Sequence, residues 1–108
     1  MSRMVLRRYL EILIMRDENW TKVALLHVAI KPNWFNGRGM PRKTIDFLSS
    51  LAENRDWLTP RQLDCARNTL LRYIWFLMES IGEEKIRVTM EKAGVPDENG
   101  RYPREVQK

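Results

Sequence analysis

The sequence has little cysteine and histidine and lacks a long hydrophobic run. It contains one cysteine, Cys65, and one histidine, His27, among 108 residues. A single cysteine cannot form a disulfide within the chain, and these two residues alone cannot complete a zinc site. The longest uncharged stretches, such as residues 23–30 and 73–78, are much shorter than the roughly 20 residues that span a bilayer. The sequence therefore predicts a protein without a disulfide, a metal site or a membrane span.

The N-terminal segment also lacks the features of a secretory signal. Its positive charge is followed by apolar residues, but Glu11 interrupts that run, and no small-residue cleavage site comes after it. A low cysteine content suits a reducing compartment. We therefore expect a cytoplasmic protein.

Patterns that carry catalysis are missing as well. His27 lies on an apolar helical face, and no serine, cysteine or carboxylate pair at a catalytic spacing completes a triad or dyad with it. No glycine loop ends in the Lys-Ser or Lys-Thr pair that binds nucleotide phosphates. The sequence predicts a non-enzymatic protein that needs no cofactor and takes no small-molecule substrate, with His27 hydrogen-bonded and partly buried.

Positive charge is concentrated in two segments. The net charge is +5. Residues 1–16 contain four arginines and one glutamate and so carry +3, whereas residues 31–43 contain four cations and no acid and carry +4. The remaining residues sum to −2. Such a distribution permits contact with phosphates or with an acidic protein.

Hydrophobic periodicity predicts a mostly helical chain. The best-defined helix begins with a capping box, in which Thr59 is the N-cap, Pro60 the first helical residue and Gln62 the third. The β-branched residues of the second segment leave a strand as an alternative there. The predicted helices span about residues 4–15, 20–30, 42–54, 60–81 and 83–93.

The pattern as a whole indicates an all-α fold. We expect a single small domain of about five helices over residues 1–94 and an extended polar tail over residues 95–108. Residues 32–41 hold two glycines, two prolines and two asparagines and are predicted to form an irregular basic loop. Cys65 is expected to be a buried or half-buried helical residue.

The basic loop is the first candidate site. Glycines on both sides of Arg38 allow a tight turn that presents amide hydrogens, and the loop leads into a helix N-terminus, which also favours anions. Arginine and lysine side chains would form charge-assisted hydrogen bonds with a phosphate bound there. The alternative is a solvated surface turn. The predicted nucleic-acid-binding residues are Lys31, Arg38, Arg42 and Lys43, assisted by Arg7 and Arg8.

Aromatic residues form the second candidate site. Trp34 and Phe35 fall in the predicted polar loop, where they either fold back onto the core or face a partner. Trp75 falls in the middle of a polar helical stripe, beside Phe76, so that end of the helix is either buried on every side or an interface. The predicted partner-binding residues are Trp34, Arg72, Trp75 and Phe76.

Residues 36–77 resemble a known helical module. The segments NGRG, IDFLSSLAE and LTPRQLDCARNTLLRYI follow one another there. They are similar to a short accessory segment of bacterial and phage helicase-type proteins, over about two-fifths of the chain. The matching residues are Gly37, Gly39, Asp46, Ser50, Leu51, Ala52, Leu58, Thr59, Arg61, Gln62, Leu71 and Tyr73.

The resemblance implies that the protein acts where nucleic acid is processed, in a phage or mobile element. It does not imply ATP-driven unwinding, since the nucleotide-binding motifs of a helicase motor are missing from this sequence.

Two functions from different classes follow from the sequence. The first is a small nucleic-acid-associated protein that contacts phosphates through the basic loop. The second is a protein-interaction module, such as a phage-type inhibitor or adaptor of a host complex, that acts through an aromatic helix surface or by self-association.

Overall fold

The structure is a computed structural model that describes residues 2–54 and 56–103. In those residues the chain forms seven α-helices and no strand, so the all-α class is confirmed, and the strand alternative for the second segment is wrong. None of the described helices is long and apolar enough to cross a bilayer. The helices are α1 Arg3–Arg16, α2 Glu18–Ile30, α3 Pro32–Gly37, α4 Arg42–Ala52, α5 Pro60–Arg72, α6 Ile74–Ile81 and α7 Glu83–Ala93.

The helix boundaries follow from local capping chemistry. The predicted capping box of α5 is confirmed: the Thr59 hydroxyl accepts from the Gln62 amide, and the Gln62 side chain accepts from the Thr59 amide. Helix α7 lies between Gly82 and Gly94, whose φ angles of 100° and 76° disfavour any residue with a side chain. Its predicted bounds of residues 83–93 are therefore confirmed.

The core runs through the middle of the bundle around α2, which contacts α1, α4, α5 and α6. Burying each large aliphatic side chain contributes about 1.5–3 kcal/mol. The molecule measures 42 × 32 × 19 Å, so its shortest dimension is about two helix diameters and every long helix keeps an outer face. Fully buried residues include Leu10, Leu13, Ile14, Leu25, Phe35, Met40, Leu48, Leu70, Leu77, Met78 and Ile86.

The expectation of an irregular loop over residues 32–41 is wrong in its first half, which forms helix α3. Pro32 starts the helix because a missing amide hydrogen costs nothing at the first helical position. The following turn is fixed from inside by Phe35 and Met40, whose side chains are fully buried. Gly39, with φ at 107°, provides the turn back towards α4.

The predicted long helix over residues 60–81 is two helices. It breaks at Tyr73, whose backbone leaves the helical region and whose amide bonds the Leu70 carbonyl at 3.0 Å. No glycine or proline marks this position in the sequence. The break directs α6 onto α1 and α7 and buries Leu77 and Met78 together. Cys65, expected to be buried or half-buried, is exposed on α5.

The described part of the C-terminal tail, residues 95–103, packs back against the start of α2. The Tyr102 hydroxyl donates to the Asp17 carboxylate at 2.7 Å. A turn brings the Asp97 amide to the Arg101 carbonyl at 2.8 Å. Residues 104–108 of the predicted tail lie outside the described residues, and the predicted boundary after residue 94 stays a prediction.

Candidate functional site

Two of the predicted nucleic-acid-binding cations lie over the Trp34 ring, and two more lie in the first turn of α4. We call Lys31, Trp34, Arg38, Arg42 and Lys43 the Trp34 cluster. The guanidinium of Arg38 lies 3.6 Å from the centre of the Trp34 ring, and the Lys31 ammonium lies 6.0 Å from it. Positions 34 and 38 are one helical turn apart, which brings these two side chains into contact. Trp34 is half-buried and packs edge-on against Phe35 at 4.9 Å.

The rim of the Trp34 cluster is formed by the first turn of α4. Arg42 is exposed and donates to the Asn33 side-chain oxygen at 2.9 Å. Lys43 is exposed and forms no hydrogen bond or ion pair with a described residue. One carboxylate, that of Glu79 on α6, lies 3.6 Å from Arg38. With Glu79 included, the cluster carries four positive charges and one negative charge.

The backbone amides of the NGRG segment are not free to bind an anion, contrary to the expectation from its glycines. The Arg38 and Met40 amides both donate to the Phe35 carbonyl at 3.1 Å. The Gly39 amide donates to the Asn36 carbonyl at 3.1 Å. Phosphate contacts at this site therefore depend on side chains, and on the first amides of α4, which precede its first internal hydrogen bond.

His27 forms a contact that the sequence did not reveal. Its Nδ1 atom lies 2.9 Å from the Ser80 hydroxyl, which also accepts from the Lys31 ammonium at 3.3 Å. No local pattern predicts this contact, because 53 residues separate the pair in the chain. Burial, followed by the charges of Lys31 and Lys85, lowers the pKa of His27.

This histidine–serine contact joins α2 to α6 and fixes Lys31 beside the Trp34 cluster. A neutral His27 with its proton on Nε2 accepts the Ser80 hydroxyl hydrogen, which matches the lowered pKa of His27. His27 is half-buried and hydrogen-bonded, as expected.

A second aromatic site forms around Trp75. We call Arg3, Arg7, Trp75, Glu11 and Glu83 the Trp75 cluster. Trp75 is 41% exposed, so of the two alternatives for this end of the helix, burial on every side is wrong. Arg3 and Arg7 lie 5.4 and 5.6 Å from the ring centre. Arg3 pairs with Glu83 at 2.7 Å and Arg7 pairs with Glu11 at 2.5 Å, so the cluster has no net charge.

The other predicted partner-binding residues differ in exposure. Phe76 is half-buried and stacks against Tyr73, with 6.1 Å between ring centres. Arg72 is exposed and lines a small cleft of about 80 Å³ with these aromatic residues and Trp75. Trp34, predicted in the same group, lies instead in the Trp34 cluster.

The six predicted cations thus divide among three places. Lys31, Arg38, Arg42 and Lys43 share the Trp34 cluster. Arg7 lies in the Trp75 cluster, where Glu11 compensates its charge. Arg8, its neighbour on α1, is exposed and lines an apolar groove.

The described residues contain no group of three or more histidine, cysteine, aspartate and glutamate side chains that could hold a metal ion. Comparison with protein-family models, with curated proteins and with solved structures finds no match. The resemblance to the helicase-associated module therefore stays a prediction from the quoted residues.

Proposed function

We propose that the protein is a non-enzymatic nucleic-acid-binding protein that binds single strands through the Trp34 cluster. One observation supports this most: two cations lie over a half-buried tryptophan, and a third, Arg42, bonds to Asn33 next to it. One carboxylate, that of Glu79, lies within 4 Å of these cations, and Lys43 follows Arg42 on α4. Single-strand-binding surfaces combine a positive groove for the backbone with aromatic side chains for the bases. The Trp34 cluster contains both components.

Each component has a defined part in the proposed binding. Arg42 and Lys43 project from the first turn of α4 and contact consecutive phosphates. A base stacks on the outer face of the Arg38 guanidinium, or displaces that group and stacks on Trp34 itself. Every base has a π-face, so we expect the binding to tolerate changes of sequence.

The proposed setting follows from the sequence. The low cysteine content suits the cytoplasm, and the helicase-like resemblance suits a phage or mobile element that processes nucleic acid. Neither the cysteine content nor the resemblance is an argument about how the Trp34 cluster binds a phosphate or a base.

The test is a salt series of fluorescence anisotropy with labelled oligo-dT, oligo-U and a DNA duplex. We expect binding at about 50 mM salt that weakens steeply by about 200 mM, because phosphate binding releases counterions. The triple variant Arg38→Ala, Arg42→Ala, Lys43→Ala should lose binding. Any residual salt slope should fall by about 0.7 for each phosphate contact removed from a single strand.

The matched control removes three exposed arginines elsewhere, Arg8→Ala, Arg61→Ala and Arg72→Ala, and changes the net charge by the same amount. It should retain most of the affinity. Absent binding at low salt, salt-independent binding, or equal losses in the two triple variants would each contradict the proposal.

A second candidate function is protein recognition through the Trp75 cluster. The exposure of Trp75 beside the half-buried Phe76 supports it, since tryptophan is enriched among residues that dominate binding energy at interfaces. A pull-down from host lysate with and without nuclease separates the two candidates. A partner that resists nuclease and is lost in Trp75→Ala favours this one, whereas partners that disappear with nuclease favour the first.

A further inference from the structure

The outer face of α1 presents several exposed apolar side chains around one exposed arginine, Arg8. Met4 is 57% exposed, Val5 48% and Met15 41%, and Ile12 is half-buried beside them. Spacings of three and four residues place these side chains and Arg8 on one side of the helix. The opposite side of α1 is packed into the core. An apolar stripe of about three turns therefore remains uncovered by the described residues.

Two grooves border this stripe. The first, of about 420 Å³, lies between α1 and α7, where Met90 and Val95 line it. The second, of about 400 Å³, lies between α1 and α5, where Leu71 lines it. Arg8 and Ile12 line both grooves, so the two form one continuous surface along α1.

The charged side chains at the grooves are mainly positive. Arg7, Arg8 and Arg16 line them, and the acid that lines them, Glu11, pairs with Arg7. Arg8 is exposed and forms no hydrogen bond or ion pair with a described residue. Arg16 donates to the Glu98 carbonyl at 3.3 Å, which leaves its charge without a carboxylate in that contact.

We propose that this surface, the α1 groove, docks an acidic amphipathic helix of a partner protein. An α-helix rises 1.5 Å per residue, so the stripe from Met4 to Met15 is about 16 Å long and fits three turns of a partner helix. Apolar residues at spacings of three and four would fill the grooves, as in other helix-in-groove complexes. Flanking Asp or Glu residues would face Arg8 and Arg16.

Charge and shape favour this occupant over two others. A second copy would bring one α1 against another, and the positive charges of Arg8 and Arg16 on the two helices would repel each other. A bilayer is flat and would contact the exposed ridge of α1, whereas the groove walls include the half-buried Ile12 and Met90. The α1 groove is distinct from the Trp34 cluster, so the proposal does not depend on nucleic-acid binding.

The test uses a displayed library of helical peptides. Each peptide carries a fixed leucine stripe at spacings of three and four, with Glu, Lys or Gln in equal proportion at the flanking positions. Selection against the full chain should enrich Glu at those positions. The selected peptides should bind the double variant Val5→Ser, Met15→Ser at least about tenfold more weakly, since the variant removes one exposed apolar contact from each groove and a few such contacts dominate binding energy.

The charge contribution is tested by reversal. Selection against Arg8→Glu should enrich Lys in place of Glu at the flanking positions, because like charges across an interface are repulsive. The controls are Leu26→Ser with Ile30→Ser, two similarly exposed apolar residues on α2, and Arg61→Glu on α5. These controls should leave peptide affinity within about twofold, as expected for residues outside the interface. Oligo-dT binding should be unchanged in the Val5→Ser, Met15→Ser variant.

Four outcomes would overturn the proposal. Every selected peptide could bind the Val5→Ser, Met15→Ser variant as tightly as it binds the unmodified chain. The selected peptides could show no preference for Glu. Co-sedimentation with phosphatidylcholine–phosphatidylserine vesicles that is lost in that double variant would assign the surface to a membrane instead. Self-association in sedimentation equilibrium that is lost in the same variant would assign it to a second copy of the chain.

Discussion

The Trp34 and Trp75 clusters share a motif and differ in charge. In both, a partly exposed tryptophan lies against two cations. Both arginines of the Trp75 cluster are paired with carboxylates at 2.7 Å or less. In the Trp34 cluster the single carboxylate contact, that of Glu79, is 3.6 Å long, and three further cations have no carboxylate partner among the described contacts.

The difference shows that local charge density in a sequence does not equal the charge available at a surface. Residues 1–16 and 31–43 look similarly basic in the sequence. Folding pairs Arg3 with Glu83, 80 residues away, and Arg7 with Glu11. The cations of residues 31–43 keep most of their charge, because among the described residues one carboxylate, that of Glu79, lies within 4 Å of them. We therefore propose nucleic-acid binding for the Trp34 cluster alone.

The largest predicted effect concerns the free energy of unfolding, to which the phenylalanine beside each tryptophan contributes differently. Phe35, which packs against Trp34, is fully buried, whereas Phe76, next to Trp75, is half-buried. We expect Phe35→Ala to lower the free energy of unfolding by about 3–5 kcal/mol, because it leaves a cavity in the core. Phe76→Ala should cost clearly less. Urea unfolding measures both, and equal losses would show that the two clusters are anchored alike.

The second prediction compares the two tryptophans in binding. Trp34→Ala should weaken oligo-dT binding by about 1–3 kcal/mol, the usual contribution of one base stacked on an aromatic side chain. Trp75→Ala should leave it unchanged. Trp34→Phe, which keeps an aromatic face, should recover part of the loss. Anisotropy titrations, with circular dichroism to confirm folding, measure this difference. A larger loss in Trp75→Ala than in Trp34→Ala would reverse the assignment.

The third prediction removes one acid from each cluster. Glu79→Gln raises the charge of the Trp34 cluster from +3 to +4 and should tighten oligo-dT binding by up to about fivefold, since an exposed ion pair is worth under about 1 kcal/mol. Glu83→Gln frees Arg3 in the Trp75 cluster and should have a smaller effect. Titrations at low salt measure both changes. If both variants bound oligo-dT equally more tightly, the affinity would depend on the net charge of the protein and not on where the acid lies.

The smallest predicted effect is a pH dependence confined to the Trp34 side, where the single histidine lies. Neutral His27 accepts from Ser80, and its pKa lies below the ordinary 6.5, so protonation opposes folding. This contribution is present above pH 6.5 and is lost as the pH falls through that value towards the folded pKa. His27→Gln should flatten the stability profile below pH 6.5 in urea unfolding experiments. An identical profile in wild type and variant would exclude this role.

Much of the fold could be predicted from short-range signals. The capping box at Thr59 and the glycines around α7 mark helix ends through local chemistry, and both predictions are confirmed. The break at Tyr73 could not be predicted, because it follows from how α6 packs on α1 and α7 and has no local signal. The glycines and asparagines of residues 32–41 predict a loop, but Pro32 is a good first helical residue and begins helix α3.

The candidate site could also be predicted only in part, because local spacing specifies some of its contacts and not others. The contact of Arg38 with Trp34 follows from their one-turn spacing once α3 is recognised as a helix. The contacts of Ser80 with His27 and of Glu83 with Arg3 join residues 53 and 80 positions apart. No local pattern specifies such pairs. The contact of Glu83 compensates one arginine of the first basic segment, so the sequence alone could not separate the two clusters.

The most direct test of this assignment is photo-crosslinking of the folded protein to a short oligonucleotide containing 5-iodouracil, followed by peptide mapping. This probe reacts with aromatic side chains in stacking contact. We predict crosslinks at Trp34, which diminish as salt is raised and disappear in the Arg38→Ala, Arg42→Ala, Lys43→Ala variant. Crosslinks at Trp75 with none at Trp34 would contradict it.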